Sequence, residues 1–110
     1  MVIGRRIILI ISLITIPVFA VQEGISLHYG IGMDAYKRGQ YDLSIQEFES
    51  ILSDSWVSPE LYYNLGNAFY RVENTAGSVW AFESCLKLSP THLDAKYNLM
   101  LANLKVIDRI

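Results

Sequence analysis

The feature that most constrains this chain is a self-similarity at 34 residues. Gly32 and Gly66 stand that far apart, as do Tyr29 and Tyr63, Tyr36 and Tyr70, Ser44 and Ser78, Phe48 and Phe82, Ser50 and Ser84, and Leu52 and Leu86. The step recurs once more where Tyr63-Asn64-Leu65 returns as Tyr97-Asn98-Leu99. A period of this size marks an array, in which each unit is one supersecondary element that cannot bury its apolar face alone. The units are helical. Leu61, Leu65, Ala68 and Phe69, then Val79, Phe82, Leu86 and Leu88, recur at three- and four-residue steps, the mark of amphipathic helices.

Punctuation along the chain divides it into five helices, at roughly 25–38, 41–53, 59–72, 75–88 and 93–106. Ser58-Pro59-Glu60 reads as an N-cap serine, a proline at the first helical position and an acid in the first turn. Lys37-Arg38-Gly39 places positive charge and a left-handed glycine at a helix end. Ser89-Pro90 stops the fourth helix, and Thr91 with Asp94 resembles a capping box for the fifth. Glu73 stands where Gly39 stood one period earlier, so the left-handed residue of that turn is expected at Asn74 instead. Gly66, lacking a Cβ, is expected to let its partner helix approach closely.

The 34-residue period resembles the tetratricopeptide repeat (TPR), a helix-turn-helix unit. The copy at 59–92 carries the signature best. Tyr62, Leu65, Gly66 and Phe69 fall on its first-helix positions, Ser78, Phe82 and Cys85 on its second-helix positions, and Pro90 closes the unit. The copy at 25–58 is looser, with His28 in place of a bulky aromatic, Ile51 in place of alanine and Trp56 in place of the closing proline. Residues 93–110 read as a capping helix or the start of a third unit, with Met100 replacing the glycine. The resemblance implies an all-α solenoid of about two and a half repeats. That number is marginal for an array. Either a partner covers the open end, or the chain is a shortened relative of a longer protein.

The first twenty residues are of another kind. Fourteen of them are hydrophobic; Arg5 and Arg6 precede an Ile/Leu run over 7–16, Pro17 breaks it, and Val18-Phe19-Ala20 has the small residues a signal peptidase accepts. Residues 1–20 are therefore expected to be a signal peptide cleaved after Ala20, with an uncleaved anchor as the alternative. Export to the periplasm or cell envelope follows, and membrane contact only through this segment if it is retained. The remainder holds 7 basic and 11 acidic residues, a mildly acidic domain without the basic footprint of a nucleic-acid binder. Its size excludes a two-domain cofactor enzyme. One cysteine excludes an internal disulfide framework.

Catalytic chemistry has little to build on. Cys85 occupies a small packing position, and His28 and His92 lie in different units with no metal-ligand spacing around them. Glu47 and Glu49, two apart, do not share a helix face and are expected on a solvated surface. No strand precedes Gly24, Gly30 or Gly32, so no phosphate loop is expected. The chain is read as a non-enzyme without cofactor or metal.

Binding fits better. In the fold that the resemblance implies, the first helices of successive units line a concave groove. Its residues map to Tyr29, Met33, Tyr36 and Lys37, then Tyr63, Asn67, Tyr70 and Arg71, then Tyr97, Leu101, Leu104 and Lys105. Tyr29, Tyr63 and Tyr97 form a ladder of one residue per unit. Tyrosine suits interfaces because it offers contact area, a polar tip and few rotors; the same ladder can instead pack helix on helix. The carboxylate clamp of chaperone-binding TPR domains is not reproduced. Asn64 matches one clamp asparagine, but Tyr29, Met33, Asp94 and Asn98 stand at the other positions.

The signal peptide, the loose first repeat, the run Ser58–Tyr70, Lys87-Leu88-Ser89-Pro90, and Tyr97-Asn98-Leu99 followed by Ile107-Asp108-Arg109-Ile110 together resemble the BatE family of the bacterial aerotolerance (Bat) operons. That resemblance implies an envelope protein working beside von Willebrand A-domain proteins and a MoxR-type ATPase. The expected function is an exported adaptor that holds a protein partner in its groove. The alternative is a self-assembling repeat module, a homo-oligomer formed through open repeat ends.

Overall fold

A computed structural model describes residues 18–108, and among them the chain is all-helical. Five helices follow one another: α1 Val18–Lys37, α2 Tyr41–Ser53, α3 Pro59–Arg71, α4 Thr75–Leu88 and α5 Leu93–Asp108. Each packs on the helix that follows it, and α1 touches α3 as α3 touches α5. Met1–Pro17, which hold most of the expected signal peptide, lie outside the described residues. Among the described residues no helix is long and apolar enough to cross a membrane.

The helix boundaries follow the punctuation, with three corrections. α1 begins at Val18, not at Ile25, because no breaker separates Val18 from the amphipathic run. Its added turns are solvent-exposed, and Ile25 is its first buried residue. Glu73 itself adopts the left-handed conformation, φ 62°, as Gly39 does at φ 77°. Asn74 instead caps α4, its Oδ1 accepting from the Gly77 N–H at 3.0 Å. The helix-to-helix turn thus imposes its conformation whichever residue stands there. Finally, α5 is capped by His92 and not by Thr91: His92 Nδ1 accepts from the Ala95 N–H at 3.1 Å. The cap at α3 is as expected, Ser58 Oγ accepting from the Leu61 N–H at 3.0 Å.

Two contiguous clusters form the core. Ile25, Phe48, Ile51, Leu61, Leu65 and Phe69 join α1, α2 and α3; Phe82, Cys85, Ala95 and Ala102 join α4 to α5. Leu88, expected on the apolar face, is exposed at the end of α4.

The sequence period reappears as a period of contacts. A Cβ built on Gly32 would stand 2.6 Å from the Phe48 ring, and one built on Gly66 would stand 2.6 Å from the Phe82 ring. Ser44 Oγ donates to the Gly32 carbonyl at 2.8 Å, and Ser78 Oγ to the Gly66 carbonyl at 3.2 Å. Each glycine therefore seats a phenylalanine from the second helix of its unit. Four residues before that phenylalanine, a buried serine finds its acceptor on the same glycine.

Candidate protein-binding face

The expected groove residues lie on α1, α3 and α5, and the structure sorts them into groups. Tyr29 and Tyr63 are half-buried. Each tilts against the phenylalanine of its own unit, Tyr29 on Phe48 with ring centroids 5.8 Å apart and Tyr63 on Phe82 at 6.1 Å. The Tyr29 hydroxyl accepts from Asn64 Nδ2 at 2.7 Å, and the Tyr63 hydroxyl meets Asn98 Nδ2 at 3.5 Å. These two rungs fasten one unit to the next. Tyr97, the third rung, is 59% exposed.

Tyr36 meets Tyr41 edge-on at 5.2 Å, and the exposed Arg71 guanidinium lies over the Tyr41 ring, 4.7 Å from its centroid. Lys105 Nζ sits 3.9 Å over the Tyr70 ring. Such cation–π contacts contribute about 0.5–1 kcal/mol at exposed sites. They hold two of the three basic groove residues in place; Lys37 is exposed at the end of α1. Met33 packs against the first core cluster.

Between α3 and α5, Asn67 Oδ1 accepts from Asn98 Nδ2 at 2.9 Å. Asn67, Tyr70, Phe82, Asn98 and Leu101 line a cavity of about 60 Å³ there. That is room for a side-chain tip or a water or two, far below the several hundred Å³ of a small-molecule site. A larger cavity of about 300 Å³ lies where α1, the turn at Trp56 and the start of α3 meet, with Ile25, Tyr29, Ile51 and Leu61 in its wall.

The histidines pair with carboxylates between helices. His28 Nδ1 contacts Glu47, whose side chain is only 15% exposed. The expectation of a solvated Glu47 fails because α2 turns this residue toward α1. His92 Nε2 lies 3.1 Å from Glu60 Oε1, and its ring packs on Tyr63 with centroids 4.9 Å apart. Nδ1 accepts from Ala95, so the tautomer protonated on Nε2 satisfies both contacts. Cys85 is fully buried; burial, then the negative charge of Glu60, push its thiol above the ordinary range. A buried, protonated thiol is a poor nucleophile. Among the described residues no group of three or more His, Cys, Asp or Glu is placed to hold a metal ion.

Three contributors were not anticipated for this face. Tyr41 could not be anticipated, since it has no equivalent one period on. Asn98 carried a signal, because Asn64 repeats it beside the tyrosine ladder. His92 carried none beyond its place before α5. A scan against protein-family models finds none that matches this chain, and a search of the curated proteins finds no match.

Proposed function

We propose that this chain is an exported TPR-type adaptor, a non-enzymatic repeat module that binds a protein partner across α1, α3 and α5 in the cell envelope. One observation carries the reading. The glycine–phenylalanine seat, the serine-to-carbonyl bond and the tyrosine–asparagine fastener each occur twice at the sequence period. Repeated contacts of this kind build arrays whose continuous helix faces serve as binding surfaces. The groove side offers Arg71 and Lys105 seated on tyrosine rings, exposed Lys37 and Tyr97, and a notch at Leu101. A partner segment with acidic and apolar side chains complements this set. The resemblance of the sequence to the BatE family favours a partner among von Willebrand A-domain proteins of the envelope.

Cleavage after Ala20 is compatible with the fold. It would remove Val18–Ala20 from α1, all three exposed, and no core contact. Sequencing of the envelope-localised protein should begin at Val21; an intact Met1 would favour the anchor.

The groove is tested by capture of a candidate von Willebrand A-domain partner with wild-type chain, Arg71→Glu and Leu101→Glu. Arg71→Glu should slow association more at low salt than at high salt. Leu101→Glu should weaken binding by roughly thirtyfold, the effect of losing a hot spot of about 2 kcal/mol. If both variants melt normally and bind as the wild type does, this face is not the site.

A further inference from the structure

We infer that the outer face of α5 is an interface between two copies of this chain, α5 of one packing on α5 of the other. In the first two units, the corresponding face of the first helix is covered by the second helix. Ile25, Tyr29 and Gly32 lie under α2, and Tyr63 and Gly66 under α4. Stepping by one or two periods from these residues gives Leu93, Tyr97 and Met100 on α5, followed by Leu104 and Ile107 on the same stripe. Their exposures are 76, 59, 50, 51 and 63%. An apolar row this continuous is unusual on a small soluble domain and marks an interaction site.

Met100 decides what can cover the row. At Gly32 and Gly66 the phenylalanine ring occupies the place of a Cβ. Met100 carries a Cβ where that ring would sit, so a helix of the α2 or α4 kind, led by its phenylalanine, docks there less well than it does at a glycine. The same spacing also suits a like helix as occupant. Leu93, Tyr97, Met100, Leu104 and Ile107 follow one another at steps of four, three, four and three residues, the self-complementary seam by which like helices interlock. Asp94 and Lys96 near its start, and Lys105 and Asp108 near its end, balance in sign, so two copies approach without net repulsion from this helix. Complete covering of the stripe on both copies would remove at most about 1,200 Å² from water, the lower edge of the range for specific interfaces. The inference rests on α5 being the first helix of a third unit and is independent of export; it assigns Tyr97 and Leu104 to the seam, so a groove partner that reaches these two residues competes with the second copy.

The test uses the full chain, so that every variant carries the same N-terminal residues. In sedimentation velocity over a concentration series the wild type should form dimers. Met100→Glu brings two carboxylates together at the seam, so it should weaken dimerisation about a hundredfold with the helical melt retained. A cysteine at Met100 should be joined to that of a second copy by a short bismaleimide, whereas one at the exposed Lys87 should not; buried Cys85 stays silent. A wild type that stays monomeric, or that self-associates just as well with Met100→Glu, overturns the proposal. In a monomer, shielding of the Met100 cysteine from thiol reagents would indicate coverage by residues 1–17 of the same chain, and free reactivity a face left for a different protein. Either result also overturns it. Failure of the repeat reading would show separately, as loss of the cooperative melt in the wild type.

Discussion

Four glycines lie inside α1 and α3, and the structure assigns opposite signs to the same substitution among them. Gly24 and Gly30 have nothing within 4 Å of where a Cβ would stand. Alanine there should stabilise by about 0.5–1 kcal/mol, the difference in helix propensity. At Gly66 the new methyl would meet Phe82 Cε1 at 2.6 Å, Cδ1 at 2.7 Å and Cζ at 3.0 Å. Phe82 is 0% exposed and packed among α3, α4 and α5, so its ring cannot swing into solvent. Overpacking of this kind costs about 1–3 kcal/mol. Less the propensity gain, Gly66→Ala should lose about 1–2 kcal/mol, and Gly32→Ala about as much for the same reason at Phe48. Urea melts followed by far-UV circular dichroism read this as opposite shifts of the midpoint at constant slope. Phe82→Leu in the Gly66→Ala background should recover part of the loss, because the contact is pairwise. If Gly66→Ala is as stable as the wild type, or if Gly30→Ala is as damaging as Gly66→Ala, the seat does not hold the helices together as argued.

Other expectations concern single residues. Glu73→Gly should stabilise by about 0.5–1 kcal/mol, because a left-handed residue with a Cβ carries about 1–2 kcal/mol of strain that glycine avoids at some entropic loss; an unchanged urea midpoint would refute it. Tyr29 has its phenol pushed above the ordinary range by burial and then by Glu60, with Asn64 opposing. The folded chain therefore holds that proton more tightly than the unfolded chain. The resulting stability is present below the unfolded value near pH 10 and is lost as pH rises through the folded one. Tyr29→Phe should flatten the fall in melting midpoint above about pH 10, and an unaltered fall would refute the assignment. Cys85 should react with a thiol reagent roughly five-thousandfold more slowly in buffer than in urea, the protection a domain of about 5 kcal/mol gives a site reached only by unfolding. Fast labelling of the native chain would place Cys85 outside the core.

Much of the fold was legible because the period couples two kinds of information. The bounds of α2 and α4 match their expected ranges because Gly39, Asn74 and Ser89-Pro90 mark their ends with local chemistry. The start of α1 was not legible. Pro17 is the last breaker before it, and the amphipathic pattern begins only at Ile25, so periodicity alone placed the helix late. Glu73 was misjudged for a different reason. Local preference argues against a left-handed glutamate, but tertiary packing of α3 on α4 fixes the turn and overrides that preference by an amount local rules do not contain.

The site was legible as a set of positions and not as a set of roles. A repeated tyrosine signals a repeated environment, and a groove and an inter-unit seam both repeat. What separates them is the asparagine that follows one period and one residue later. Asn64 answers Tyr29 and Asn98 answers Tyr63, so those hydroxyls are occupied by the fold. Tyr63 also packs on Phe82 and His92. Truncating it would therefore weaken the domain and any binding together, and the two losses could not be told apart. Tyr97 has the same repeat position but stands 59% exposed on the last helix. It is the rung at which contact with another molecule can be read without first taking the array apart.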